Sequence, residues 1–273
     1  MNIGIICCNT AYLNEEIRNY QNLKIIELST RIKEEEYKTG EISQENYFKK
    51  LEELRILPQT SQPSAHEIQE KILELKDMDH IFIITPNRYF SGTYQNITLQ
   101  VNDLKMNDKV TIIDSESVTI CEGVLVEKII KMVNENKKVE EIKEELIKLR
   151  ESMTTILFPG DLKYLKNSGR LNEGQYVIGR LLNFKLFVKV INGKAELVGK
   201  GRGIGSILKF IDQEINNLKA NNCYFGEVLV PQETKEKVLS FLRSKNINVQ
   251  IMDGEDIVAS SHFGPNTFGV VIF

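Results

Sequence analysis

Short apolar runs alternate with helical patterns down the first half of the chain, and this alternation restricts the fold more than any other feature. "IGIICC", "LKIIEL", "HIFIIT" and "VTIID" place apolar residues at successive positions, so strands made from them must be covered on both faces. Around them, "ISQENYFKKLEELR", "HEIQEKILELK", "YQNITLQVNDLK", "GVLVEKIIKMVNE" and "VEEIKEELIKLRES" repeat apolar residues at helical spacing. The pattern predicts an α/β domain built on a mostly parallel sheet flanked by helices.

Beyond Arg150 the texture changes. "GDLKYLKNSGR" reads as a short helix ended by glycine, and "GQYVIGRLLN" as another. "KLFVKVINGKAELVGKG" sets Asn192-Gly193 between two strand-like runs, a hairpin signal because both turn positions take positive φ. A helix ("GSILKFIDQEINNLK"), a strand ("YFGEVLV"), a helix ("QETKEKVLSFLRSK") and the strands "NVQIM" and "FGVVIF" follow. The expected organisation is two α/β domains, 1–152 with the parallel sheet and 153–273 with a mixed sheet and helices, and a total of 273 residues fits that division.

Charge and motif content exclude several classes. A net charge of -3 lacks the basic surplus of a nucleic-acid-binding face. No apolar run reaches the ~18 residues that span a bilayer, and "MNIGIICCNT" reads as a first strand rather than a secretion signal, so stable membrane insertion is not expected and a cytoplasmic location is. Cys7, Cys8, Cys121 and Cys223 lack zinc-site spacing and read as reduced, buried thiols. "GKGRGIGS" fits neither phosphate-binding glycine pattern, and no G-x-S-x-G elbow occurs. No catalytic residue, metal or cofactor is therefore expected.

What remains is a set of hydroxyls, a histidine and arginines. Ser91 and Thr93 in "YFSGTYQN" follow the strand "HIFIIT", where ligands of α/β sheets bind, although both residues could equally cap the next helix. In "TSQPSAHE", Ser64 and Glu67 have capping-box spacing, which leaves Thr60 and Ser61 free in extended chain before a proline. His262 falls in what reads as a turn between two strands, as either a satisfied surface residue or a donor to a carboxylate; His66 and His80 read as structural. Arg170 and Arg202 stand beside glycines at element ends, where arginine can face an anion or an acidic partner.

Taken in order, "TSQPS", "FSGTYQ", "IIDSESVTICEGVLV", "LKYLKNSGR", "GKGRG" and "HFGPNTFGV" resemble the DegV family of bacterial fatty-acid-binding proteins over essentially the whole chain. The resemblance implies a long-chain fatty acid between two α/β domains, its tail buried and its carboxylate held by Thr60, Ser61 and Ser91 with His262 nearby. It implies a separate fatty acid kinase as partner, making acyl phosphate for phospholipid synthesis, with Arg88, Thr93, Arg170 and Arg202 at the site mouth or facing that partner. Cys8-Asn9 replaces the family's usual Asp-Ser, Asn87-Arg88 replaces paired serines, Ser168-Gly169-Arg170 replaces GGR, and Gly264-Pro265-Asn266 replaces GPG. At ~0.8 kcal/mol per buried methylene, ~14 methylenes give about 11 kcal/mol before the costs of ordering and association, enough for micromolar binding without covalent chemistry. The alternatives are a lipid-binding regulator without a kinase and a hydrolase using Ser61 or Ser91 with His262.

Overall fold

All six residues of β1 (Ile3–Cys8) are buried, as expected of a strand covered on both faces. A computed structural model describes residues 1–171, 184–252, 254 and 256–273. After β1 come α1 (Glu15–Arg18), β2 (Leu23–Ile26), β3 (Ser29–Ile32), β4 (Glu35–Lys38), α2 (Gln44–Leu54), β5 (Gln59–Ser61), α3 (Ala65–Glu74), β6 (His80–Thr85), α4 (Thr93–Asp103), β7 (Val110–Asp114), α5 (Ile120–Asn134) and α6 (Val139–Ser152). A four-stranded sheet runs β2-β1-β6-β7, with every pairing parallel.

The alternation of side chains along a strand explains the apolar runs. Ile5, Cys7, Phe82 and Ile84 point to one face and pack on Leu125, Ile129, Ile142 and Leu146 of α5 and α6. Ile6, Ile81 and Ile83 point to the other and pack on Ile68, Ile72, Ile97 and Val101 of α3 and α4.

"LKIIEL" does not form one strand as expected. The parallel strand stops at Ile26, because buried Asn9 accepts from the Leu28 N–H at 3.0 Å and donates to the Leu28 carbonyl at 2.9 Å. The chain turns there into a small antiparallel sheet, β4-β3-β5, which the sequence reading missed. The expected capping box at α3 is half formed. Ser64 Oγ accepts from Glu67 N at 3.1 Å, whereas the Glu67 carboxylate accepts from Glu27 N at 2.7 Å instead of returning to the cap.

The second half contains β8 (Thr154–Phe158), α7 (Leu162–Ser168), β9 (Lys185–Ile191), β10 (Lys194–Gly201), α8 (Gly203–Leu218), β11 (Asn222–Val228), α9 (Gln232–Arg243), β12 (Asn248–Ile251), α10 (Ile257–Phe263) and β13 (Thr267–Ile272). The helix expected over "GQYVIGRLLN" lies outside the described residues. The six-stranded sheet runs β10-β9-β8-β13-β11-β12; only β11-β12 is parallel, so the sheet is mixed. The β9-β10 hairpin turns at Asn192 and Gly193, with φ of 49° and 73°.

One face of this sheet packs on Ile207, Ile211, Val238 and Leu242 of α8 and α9. On the other, Leu157 and Val188 meet Leu165, Ala259 and Phe263 of α7 and α10, and Tyr224 and Val271 meet Ile120 and Val124 of α5. The inner face of the mixed sheet therefore lies against α5 and against the elements that carry the site. Among the described residues no helix is long and apolar enough to cross a membrane.

Candidate functional site

A cavity of about 200 Å³ lies where the small sheet, the start of α4, α7 and α10 meet. Thr10, Thr60, Ser61, Ser91, Arg170 and His262 supply polar groups, and Leu28, Val118, Leu157, Leu165, Val258 and Phe263 supply apolar wall. Ser61 and Gly92 are exposed, so the cavity opens to solvent on that side. A mainly apolar hollow with a few converging polar groups suits an amphipathic ligand.

Thr60 sits on β5 opposite Thr30 of β3, and its Oγ1 lies 3.2 Å from His262 Nε2. His262 is not in a turn, as its glycine and proline neighbours suggested, but in the last turn of α10. That short helix forms because Asp256 accepts from Val258 N at 2.8 Å and Ala259 N at 2.7 Å, and it stops at Gly264, whose φ of 77° suits glycine. The preceding residue anchors it: Ser261 Oγ lies 2.5 Å from the Tyr47 hydroxyl and 3.3 Å from Thr30 Oγ1, tying α10 to α2 and β3. His80 by contrast pairs with Thr111 in the parallel sheet, consistent with a structural role.

Burial, with the nearby Arg170 charge adding to it, pushes the His262 pKa down to about 3. The ring is neutral at pH 7 and can donate one proton while accepting another. Because His262 binds fewer protons folded than unfolded below an ordinary value of ~6.5, its contribution to stability is complete above that pH and is lost as pH falls toward 3. Lowering the pH from 7 to 5 is expected to lower the urea midpoint more in the wild type than in His262→Gln; equal losses would refute the shift.

Ser91 Oγ contacts Thr93 Oγ1 at 2.8 Å and accepts from Thr93 N at 3.2 Å, but the cap residue of α4 is Gly92. Ser91 thus borders both the helix start and the cavity, while Thr93 is fully buried. Arg170 is half-buried on the cavity wall, donating from Nε to the Phe90 carbonyl at 3.1 Å and from Nη1 to the Ser168 carbonyl. Arg88 lies apart, pairing through Nε with Asp114 at 2.6 Å and stacking 4.2 Å above Tyr94. Arg202 lies apart too, before α8 and 4.8 Å over Phe184. The cavity lining among the described residues therefore includes Thr60, Ser61, Ser91, His262 and Arg170, and not Arg88, Thr93 or Arg202.

The family departures have structural uses. Cys8 is fully buried with its thiol pKa raised by burial, and Asn9 forms the clasp on Leu28. Asn87 donates to the Gly193 carbonyl at 2.8 Å and accepts from Tyr89 N at 2.8 Å, fixing the β9-β10 hairpin against the loop that leads to Ser91.

Sequence reasoning missed Thr10, whose hydroxyl contacts both carboxyl oxygens of fully buried Glu122 at 3.1 and 2.9 Å. The acid inside "TICEGVLV", an otherwise apolar helical run, was the available signal. Among the described residues, neither Ser61 nor Ser91 is hydrogen-bonded to His262, and no three metal-ligating side chains cluster.

The family model described as "Uncharacterised protein, DegV family" matches residues 2–273. A DegV domain-containing protein of Clostridium acetobutylicum is 29% identical over 278 residues, covering 99% of this chain and 98% of its own. Among solved structures, a fatty-acid-binding DegV family protein from Thermus thermophilus superposes with a TM-score of 0.91 at 23% identity, covering 100% of this chain and 99% of that one. The Streptococcus pneumoniae fatty acid kinase (Fak) B3 protein, loaded with linoleic acid, does so with a TM-score of 0.87 at 16% identity, covering 100% and 99%. The α/β fold, with its parallel and mixed sheets, and the match across almost every residue place this chain in the DegV family.

Proposed function

We propose that this chain binds a long-chain fatty acid, its tail against the apolar cavity wall and its carboxylate at Thr60, Ser61, Ser91 and His262, and presents that carboxylate to a separate fatty acid kinase. The observation that carries the proposal is the convergence of these four residues and Arg170 on one otherwise apolar cavity. A buried carboxylate is costly unless several donors meet it, and hydroxyls, a neutral imidazole and a guanidinium are suitable donors. The linoleic acid carried by the pneumococcal protein supports the same ligand class here.

Phosphoryl transfer needs metal and phosphate-cradling groups. In this proposal the kinase supplies them, and the chain acts as a non-catalytic, cytoplasmic carrier of two domains, 1–152 and 153–273, with the acid at their seam. The paired hydroxyls Ser91–Thr93 and the Thr60–His262 contact favour a binding role over a serine nucleophile.

Thr60→Ala and Ser91→Ala are each expected to weaken palmitate binding about tenfold, as loss of a hydrogen bond to a charged group does, with unchanged urea midpoints. Competition against a fluorescent fatty acid measures this. Unfolding of either variant would reassign that residue to a structural role, and unchanged affinity in both would reject the carboxylate site. A kinase reconstitution in which the loaded protein yields no acyl phosphate would favour a lipid-binding regulator.

A further inference from the structure

Behind the cavity wall, Glu122 in the first turn of α5 is fully buried, and its contacts are Thr10 Oγ1 and the Thr119 backbone N–H, the latter at 2.9 Å. Thr10 is also buried and lines the cavity. A threonine hydroxyl has a single proton, so the protonation of Glu122 decides where that proton points. We propose that Glu122 is a positioning residue that couples carboxylate binding to uptake of one proton: protonated Glu122 donates to Thr10 Oγ1 and leaves the Thr10 hydroxyl proton for an anion in the cavity, whereas ionised Glu122 takes that proton and turns an oxygen lone pair toward the ligand. The inference rests on the fatty-acid reading of the same cavity.

The surroundings favour an acid that holds its proton near neutrality. Cys7 and Cys8 approach from β1, Cys121 from α5 itself, Asp114 from the end of β7 and Asp256 from the start of α10, while Tyr12 packs on the adjoining Gly123. Burial, helped by the Asp256 and Asp114 charges, outweighs its two hydrogen bonds and raises the Glu122 pKa to about 8. The bland alternative is that Glu122 only caps α5 through Thr119, a role glutamine fills equally well. Glu122→Gln therefore separates the two.

The proton balance is simple. When a laurate anion binds the ionised form, one proton from solvent forms an O–H bond on the Glu122 carboxylate, no other covalent bond changes, and the Glu122–Thr10–laurate chain carries both protons in line. Calorimetry with monomeric laurate between pH 6.5 and 9.5, in buffers of different ionisation heats, reads this directly. In the wild type, uptake is expected to rise toward one proton per laurate, and affinity to fall tenfold per pH unit above the Glu122 titration. Glu122→Gln is expected to bind with no proton uptake and a flat profile, and Thr10→Val to bind weakly with a flat profile.

Flat, proton-free binding by the wild type, or an unchanged slope in Glu122→Gln, would overturn the coupling and leave the fatty-acid reading standing. Failure of the wild type to bind laurate at any pH would overturn both. If Glu122→Gln does not fold, Thr10→Val carries the test: a retained slope there rejects the proposal.

Discussion

Alanine at Gly123 is expected to destabilise the protein by about 3 kcal/mol, the upper range for overpacking a close-packed site. A Cβ added there would stand 1.9 Å from the Tyr12 carbonyl oxygen and 2.7 Å from the Met252 methyl carbon, Cε. The first obstacle is backbone, so no rotamer change relieves it. The loop that carries Tyr12 also carries Thr10, and it is pinned to the same helix start by Tyr12 N donating to the Thr119 carbonyl at 3.2 Å. Pushing α5 from this loop separates Thr10 from Glu122, so fatty-acid affinity should fall with stability. Gly205→Ala provides the contrast. Its Cβ meets nothing within 4 Å in α8, and it is expected to be neutral or to stabilise by up to about 1 kcal/mol. Urea unfolding of the two variants checks both, and equal midpoints would mean that α5 can move away from the loop without cost.

The second large effect is expected at Arg170. Its guanidinium stands on the cavity wall with Nε on the Phe90 carbonyl, so it is held in place. Arg170→Glu replaces a cation by an anion beside the proposed carboxylate position, and affinity for palmitate is expected to drop at least 100-fold, the scale of losing a charge-assisted hydrogen bond and adding repulsion. Binding of hexadecanol, which has the same tail and no charge, should change far less. Parallel losses for acid and alcohol would show that the substitution distorts the cavity rather than opposes the headgroup charge. The same substitution removes the cation that adds to burial in depressing the His262 pKa, which should rise.

The parallel sheet was legible because each of its strands must satisfy two apolar layers, which leaves an apolar signature at consecutive positions. The hairpin at Asn192-Gly193 was legible because few residue pairs accept two positive φ angles. The small sheet was not, because β3 and β4 are four residues each and β4 is largely exposed, so neither leaves a period to read. His262 was read as turn because glycine and proline follow it, while the signal for its helix, Asp256 as cap, lies six residues earlier. Thr60, Ser61, Ser91 and Arg170 were legible as residue types at element ends. Their convergence was not, since it depends on contacts such as Thr60 with His262, 202 positions apart. Thr10 and Glu122, separated by 112 positions, carried no local mark as a pair. Arg88 and Arg202, named as site-mouth or partner-facing residues, stand outside the cavity lining: Arg88 pairs with Asp114 and stacks on Tyr94, and Arg202 lies over Phe184.

Native mass spectrometry of the protein purified from a bacterial host, followed by organic extraction, tests the central claim most directly. The cavity chemistry predicts a bound species with the mass of a fatty acid of 14 to 18 carbons, near one per chain and released by the solvent as a free acid. A protein that emerges empty and stays empty after incubation with palmitate or oleate would contradict the fatty-acid reading.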